Sequence, residues 1–172
     1  MAAMEGLGRL FDLSTGVVPV DLQTAQTGKR VSLRNCGAVT IVLFKAAGTA
    51  GDDPTVTLQE HNASSGGTSQ NLAIIDHYYL KNEATLDGDE TWTRKTQSAA
   101  ATIADPGGAT TSAEEQQIVA IEVRGEQLSD GFSYVSLNVA DTGTNAQLGG
   151  VLYILHDLDV QRAPANLVAP LS

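Results

Sequence analysis

The sequence predicts an all-β protein, an antiparallel β-sandwich of jelly-roll type with about 8–9 strands. Three observations carry this prediction. Short segments alternate apolar and polar residues with a period of two, as half-buried antiparallel strands do. Clusters of Gly, Ser, Thr, Asn and Asp separate these segments at short spacing. The chain also carries almost no sustained helical pattern.

The first part of the chain holds four predicted strands, at Val17–Leu22, Lys29–Arg34, Val39–Phe44 and Thr55–Glu60. Pro19 places the first strand on a sheet edge, because proline cannot donate a hydrogen bond to a neighbouring strand. Val39–Phe44 is apolar on both faces, which predicts a central strand covered on both sides.

Five further strands are predicted, at Leu72–Leu80, Thr91–Thr96, Ile118–Arg124, Ser133–Val139 and Val151–Leu155. Leu72–Leu80 has apolar residues at helical spacing, but its paired isoleucines and tyrosines favour a strand. Trp92 is expected to anchor the strand that contains it. Residues 97–115 are rich in small residues and are predicted to form a loop with one helical turn at its end.

The strand Val151–Leu155 is apolar at every position. A second sheet would cover only one of its faces, because successive side chains point to opposite sides of a strand. The other face is expected to be covered by a neighbouring subunit or by an N-terminal arm.

One domain is predicted at residues 17–159, between an N-terminal arm at 1–16 and an extended C-terminal tail at 160–172. Both ends carry large apolar residues that are unfavourable in water. We expect these residues to be contact residues, although packing on their own domain is an equal alternative. They are Leu7, Leu10, Phe11, Leu13, Leu167, Val168 and Leu171.

The charge of the chain weighs against a nucleic-acid partner, since its formal net charge is −10. Residues 1–50 carry five basic and three acidic side chains, whereas residues 51–172 carry 17 acidic and five basic ones. Ordinary surface scatter explains this, and so does a positive arm that docks on a negative neighbour. We also expect no membrane contact and no signal peptide, because no apolar stretch is long enough.

The sequence predicts no enzyme, cofactor or metal. Cys36 is the single cysteine, so no intrachain disulfide can form. The histidines His61, His77 and His156 have no ligand spacing. The turn with Asp87, Asp89 and Glu90 begins like a calcium loop but lacks the later glutamate, so a solvated turn is favoured and cation binding stays open.

The carboxyl third resembles small structural proteins of tailed bacteriophages. The resemblance rests on the acidic strand from Ile118, the motif DGFSYV, the ending TNAQLGGVLYIL and the Pro/Ala tail, over roughly the last 55 residues. It implies a capsid decoration (cement) protein that binds the outer capsid surface and bridges neighbouring capsid subunits. Its partners would be the major capsid protein and further copies of itself, with a trimer favoured. Such a protein belongs to the virion, is made in the host bacterial cytoplasm and brings no catalytic residues.

The sequence also leaves three other classes of protein to consider. A head–tail connector or tail protein would share the β-rich character. A carbohydrate-binding β-sandwich on a viral surface would need clustered exposed aromatic residues, whereas aromatics make up only 5% of the chain and Trp92 is the single tryptophan. An enzyme of cupin type would need paired histidine and glutamate ligands, and no such pattern occurs.

Overall fold

The computed structural model describes residues 6–108 and 112–172 and contains eleven β-strands. The strands are β1 (Phe11–Asp21), β2 (Val31–Ser32), β3 (Cys36–Lys45), β4 (Val56–His61), β5 (Ser69–Asn71), β6 (Ile75–Glu83), β7 (Thr93–Ala100), β8 (Thr102–Ile103), β9 (Gln116–Arg124), β10 (Tyr134–Val139) and β11 (Leu148–Leu158). Within the described residues the helical structure is confined to three 3₁₀ turns of three residues each.

The strands form two antiparallel sheets. The six-stranded sheet has the order β1-β11-β3-β9-β6-β7, and the five-stranded sheet has the order β2-β10-β4-β5. The short strand β8 shares the edge of β4 with β5, because it pairs with Val56 and Thr57 while β5 pairs further along. This architecture confirms the predicted all-β antiparallel fold.

The core lies between the sheets, where alternate residues of both turn inward and exclude water. Tyr153 ties the two sheets together: its hydroxyl accepts a hydrogen bond from the Leu137 N–H (3.1 Å) and donates one to the Lys29 carbonyl (2.9 Å). Burial raises the pKa of Tyr153 to about 12, so it remains a donor. Gly16 makes room for this ring, because a Cβ there would lie 2.7 Å from Tyr153.

Strand β1 begins at Phe11 rather than at the predicted Val17. Its first half pairs with the last strand, from Phe11 opposite His156 to Thr15 opposite Leu152. Residues 11–16, which were expected in the N-terminal arm, are therefore part of the six-stranded sheet. The predicted strand began after Gly16, because glycine interrupts the apolar alternation. In the structure β1 continues through Gly16, which lies at a bulge and leaves room for the Tyr153 ring.

Two further departures concern polar edges. Residues 97–103 were expected in a loop, but β7 continues to Ala100 and β8 follows it. The short strand β5 lies in a segment that was expected to be a turn. Ile103 is the one large apolar residue in β5, β7 and β8, so these strands give no apolar period that a sequence pattern could reveal.

The loops gather at two ends of the sandwich, because neighbouring strands run in opposite directions. We call one the acidic end; it contains the loops at 46–55, 84–92 and 141–147 and the described parts of the segment 104–115. Hydrogen bonds from Gly48 to Ala113, and from Gln147 to Asp52 and Ala113, join three of these loops. Eleven of the 20 carboxylates of the chain lie there, namely Asp21, Asp52, Asp53, Glu83, Asp87, Asp89, Glu90, Asp105, Glu114, Glu115 and Asp141.

We call the opposite end the terminal end, since both ends of the described chain lie there. It holds five of the six arginines, namely Arg9, Arg30, Arg34, Arg124 and Arg162. Eight carboxylates of the described residues also lie toward it, so its charge is mixed. The molecule is therefore electrically polar along its strands, with one acidic end and one mixed end.

Candidate interaction surfaces

The outer face of the six-stranded sheet is apolar and open. In β11 the side chains of Val151, Tyr153 and Leu155 point into the core, while Leu148 and Leu152 point outward and are 62% and 41% exposed. Within the described residues, nothing covers the outer side of this strand. The predicted need for a cover on its second face therefore matches an open surface.

Neighbouring strands extend this surface. Phe44 and Val18 are 56% and 54% exposed, and Ile118 pairs with Phe44 from the other side. The prediction that Val39–Phe44 is covered on both faces is wrong at Phe44, whose side chain points outward at the end of β3 and is 56% exposed. We call this outer region of β1, β11, β3 and β9 the apolar face.

A groove of about 700 Å³ runs through the apolar face. Its floor is at Gly150, which pairs with Phe44 and has no side chain. A Cβ at Gly150 would lie 3.0 Å from the Val17 carbonyl oxygen, so the close approach of β1 requires glycine. Strand β1 forms one wall of the groove, and two register shifts there, between Thr15 and Val20, make the strand bulge. The Gly150 groove is lined on its sides by Val18, Pro19, Phe44, Ile118, Leu148 and Leu152.

Carboxylates flank the mouth of the Gly150 groove at the acidic end. Asp21 pairs with Leu148 on one side of the groove, and Glu83 pairs with Gln116 on the other. Desolvation and the nearby carboxylates Asp89 and Asp87 raise the pKa of Glu83. Glu83, Asp87 and Asp89 therefore lie near one another beside the mouth of the groove.

Lys45 is buried below the loops of the acidic end and hydrogen-bonds to one of them. Its side chain is fully buried, and Nζ donates to the carbonyl oxygens of Ala113 (3.1 Å) and Glu115 (2.7 Å). Burial lowers the pKa of Lys45 to about 8. The lysine thus fixes the segment before β9 against the end of β3.

The two ends of the described chain lie side by side. The Arg162 N–H donates to the Gly8 carbonyl, and the Ser32 N–H donates to the Pro170 carbonyl, both at 2.8 Å. Gly8 has φ of +81°, and a Cβ there would lie 2.4 Å from the Arg162 carbonyl oxygen. The tail therefore crosses directly over the N-terminal turn, and both are hydrogen-bonded to the domain.

The predicted contact residues fall into two groups. Leu13 lies on the apolar face, opposite Ile154 of β11. The other six lie at the terminal end, where Leu10 is 69% exposed. There Leu7, Phe11 and Leu167 are half-buried and Val168 and Leu171 are exposed. We call Leu10, Val168 and Leu171 with their neighbours the terminal surface; its contact with a partner remains a prediction, and the ends also pack on their own domain.

Cys36 lies beneath the tail. It lines a narrow gap together with Leu167 and Val168. Burial, with Asp159 nearby, raises the pKa of the Cys36 thiol to about 11. A protonated, buried thiol is a poor nucleophile.

The outer face of the five-stranded sheet is polar and internally hydrogen-bonded. The Asn138 amide donates to Gln59 (2.9 Å), and the Gln59 amide donates to Asn71 (3.1 Å). The Asn138 carbonyl oxygen also accepts from the Gly28 N–H (2.9 Å). We call these side chains, with the Thr57–Thr102 hydroxyl pair at 3.2 Å, the polar ladder.

His61 continues the polar ladder toward the terminal end. Its ring nitrogens lie 2.8 Å from the Ser136 hydroxyl and 2.7 Å from the Ser69 hydroxyl, and Arg30 donates to the same Ser69 (3.1 Å). Burial, assisted by Arg30, lowers the pKa of His61 to about 4, so the ring is neutral near pH 7. No sequence signal could find this site, since its partners lie on three separate segments.

Glu60 makes a second buried polar contact beside His61. Its carboxylate accepts from the Ser129 N–H (2.8 Å) and hydroxyl (2.6 Å) and from the Gln70 amide (2.6 Å). Burial opposes ionisation, but these bonds lower the pKa of Glu60. The carboxylate therefore closes the loop at 125–133 rather than facing a ligand.

The structure brings Thr40 to the pair His156–Asp157. The Thr40 hydroxyl lies 3.1 Å from His156 Nε2, and an Asp157 carboxylate oxygen lies 3.6 Å from Nδ1. This order suits a hydroxyl, a base and an acid, as nucleophilic catalysis uses. However, these side chains line neither the Gly150 groove nor the narrow gap beneath the tail.

The acidic turn differs from the predicted cation set. Carboxylate oxygens of Glu83, Asp89 and Glu90 lie within 4.8 Å of one another. The Asp87 side chain is not part of this group, and its backbone N–H donates a hydrogen bond to the Glu90 carboxylate. Glu90 accepts hydrogen bonds from the Asp87 and Gly88 N–H groups and so closes the turn. Turn closure accounts for the position of Glu90 without a cation.

Comparison of the chain with protein-family models, with curated proteins and with solved structures gave no significant match. Nor does any helix within residues 6–108 and 112–172 have the length and apolar character to span a bilayer.

Proposed function

We propose that this chain is a non-enzymatic structural protein of a tailed-phage virion, a decoration protein that binds the outer capsid surface and bridges neighbouring capsid subunits. The observation that carries the proposal is the contrast between the two outer faces of the sandwich. The polar ladder completes one face with the chain's own hydrogen bonds. The apolar face and the terminal surface leave large apolar side chains in water. Contiguous exposed apolar surface of this kind is typical of protein–protein contacts.

The strand order supports a jelly-roll assignment, which suits a capsid component. Without the inserted strands β6, β7 and β8, the sheets read β1-β11-β3-β9 and β2-β10-β4-β5. These are eight strands in two four-stranded sheets, with the first and last strands adjacent. Two sheets of this size are the jelly-roll pattern of viral capsid and lectin domains.

Two kinds of partner follow from the two surfaces. The terminal surface would contact the major capsid protein through Val168 and Leu171, where full burial of each side chain would contribute about 1.5–3 kcal/mol. The apolar face would contact further copies of the chain, with a trimer favoured because oligomers close around a symmetry axis. The net charge of −10 keeps the protein soluble before assembly and disfavours nucleic acid.

The test is to locate the chain on particles. Purified virions would be examined by mass spectrometry and by electron cryomicroscopy. Density for the sandwich on the outer capsid surface, touching at least two capsid subunits, is the expected result. Density in a ring between head and tail would identify the connector alternative. A chain absent from the particles would overturn the proposal.

A matched pair of variants sharpens this test. Val168→Ser with Leu171→Ser changes the terminal surface but leaves Leu10 intact, while Trp92→Ser removes an exposed aromatic residue far from it. We expect the first variant to lose attachment to particles stripped of the protein and the second to attach like the wild type. Equal attachment of both variants would exclude the terminal surface as the capsid contact.

A further inference from the structure

We infer that copies of this chain associate head to tail, with the N-terminal turn of one copy, at Arg9 and Leu10, seated in the Gly150 groove of the next. This inference rests on the proposed self-association and names the parts that meet. It is argued from the shape, the reach and the charge of the two surfaces.

The Gly150 groove cannot be filled by the same copy's Leu10. Seven residues of β1 separate Phe11 from Val18, and a strand rises about 3.3 Å per residue, so the two lie about 23 Å apart. Strand β1 is paired with β11 along this length and cannot fold back. An occupant that includes Leu10 must therefore come from another molecule.

The N-terminal turn has the shape of a plug. Leu10 is 69% exposed, the highest fraction for any large apolar side chain among the described residues. Its N–H donates to the Gly6 carbonyl (2.8 Å), and the Gly8 N–H donates to the Phe11 carbonyl (2.7 Å). These bonds form a tight turn that holds Leu10 at its tip. A preformed protrusion loses little conformational entropy on entering an apolar groove.

Charge selects this partner and this orientation. Arg9 and Arg162 are exposed beside Leu10, and Asp21 and Glu83 flank the mouth of the groove. A head-to-tail contact brings these opposite charges together, which favours the encounter. Packing two grooves face to face would instead leave both Leu10 side chains exposed, because each lies far from its own groove. An acidic partner protein would be repelled by Asp21 and Glu83 at the mouth of the groove.

The contact joins the tip of one copy to the flank of another. A head-to-tail contact that turns each successive copy closes into a ring when the rotation allows it. Because the tip lies at the start of β1 and the groove opens on the outer side of the same sheet, successive copies are rotated relative to one another. A small closed ring, such as the proposed trimer, satisfies every tip and every groove.

The experiment uses the free full-length protein and two half-defective variants, analysed by sedimentation velocity and native mass spectrometry. The tip variant is Leu10→Ser. The groove variant is Phe44→Ser with Leu148→Ser, and the control is Val168→Ser, an exposed apolar residue outside the groove and the tip. We expect closed oligomers for wild type and control and monomers for each half-defective variant. An equimolar mixture of the two variants should give a one-to-one dimer, because it retains one intact tip and one intact groove.

A charge exchange tests the orientation separately. Arg9→Glu should weaken self-association about tenfold at low salt, and adding Glu83→Arg should restore most of the loss. The double variant also controls for folding, since it carries both surface changes at once. Failure of Glu83→Arg to recover any association would overturn the assigned contact between the basic tip and the acidic mouth.

Several outcomes would overturn the inference. A tip variant that oligomerises like the wild type, beside a monomeric groove variant, would indicate face-to-face pairing. A groove variant that oligomerises normally but fails to bind particles would assign the groove to a capsid protein. A wild-type chain that stays monomeric at millimolar concentration would exclude self-association. The oligomerisation readouts need no virion, so absence of the chain from particles would fail the proposed function while leaving head-to-tail assembly intact.

Discussion

The two outer faces of this sandwich differ in how their side chains meet water. On the five-stranded sheet, Asn138, Gln59 and His61 are bonded to neighbouring side chains and loops of the same chain. On the six-stranded sheet, Phe44 and Leu148 are exposed apolar side chains with no such completion. The polar groups of the first face are hydrogen-bonded within the chain, whereas the second face leaves apolar side chains exposed to water.

The comparison teaches that burial within the domain and apolar character are separate properties of a strand. In β11, Tyr153 is fully buried while its neighbour Leu152 is 41% exposed. In the polar ladder, by contrast, His61 is almost fully buried although it is polar. Stability should therefore depend on the polar face more than on the apolar one, and each of the following predictions tests that difference.

The largest effect is expected at Asn138. Asn138→Ala removes the acceptor of the buried Gly28 N–H and the donor to Gln59. Leaving such groups without partners should lower the free energy of unfolding by about 2–3 kcal/mol. In the dilute, monomeric chain, Phe44→Ser on the apolar face should change it by less than about 0.5 kcal/mol, because exposed substitutions rarely matter. Urea unfolding followed by circular dichroism measures both, and a reversed order would break the comparison.

A smaller effect is expected from acid, through His61. Its pKa is about 4 in the folded protein against 6.5 in an unfolded chain, so the folded state resists protonation. The stabilising contribution is complete above pH 6.5 and is lost as the pH falls from 6.5 toward 4. We expect a loss of about 1–2 kcal/mol from this group over that range.

The control for the acid prediction is a second histidine. His61→Gln should flatten the pH dependence of the melting temperature between pH 6.5 and 4, whereas His77→Gln, at a partly exposed position, should not. Glu60 acts in the same direction at lower pH, because its lowered pKa adds stability that is lost on protonation. A wild-type protein with no loss of stability in this range would contradict the assigned burial of His61.

The smallest effect is expected at Asp157, between the two faces. Asp157 is the one non-glycine residue with positive φ (+56°) among the described residues. It lies near the end of strand β11, opposite Gly37 of β3. Asp157→Gly should raise the free energy of unfolding by about 0.5 kcal/mol, and Asp157→Ala should lower it by about 1 kcal/mol. Thermal unfolding measures both, with Asp159→Gly as the neighbouring control.

Sequence pattern predicted the apolar strands well, because burial imposes a period of two that residues such as Val119, Ile121 and Val123 display. It predicted β7 in part, as Thr91–Thr96, although Trp92 lies just before the strand and is 50% exposed. It failed for β5, β8 and the second half of β7, which show no apolar alternation. Those strands are specified by pairing with β4 and β6, which only the folded chain contains.

The surfaces were predicted in part. The apolar ending Val151–Leu155 indicated an uncovered face, and the exposed side chains of Leu148 and Leu152 lie there. The groove itself could not be predicted, because its floor depends on Gly150 standing beside the bulged part of β1. The polar ladder was also missed, since Asn138 and Gln59 are 79 residues apart.

The reactivity of Cys36 can report when the C-terminal tail moves away from the domain. The thiol is 5% exposed, lies beneath Leu167 and Val168 and has its pKa raised to about 11 by burial. A maleimide or disulfide reagent should therefore label the folded chain only when the tail lifts or the domain unfolds. The labelling rate of the unmodified protein, free in solution and bound to its partner, would measure how often that happens.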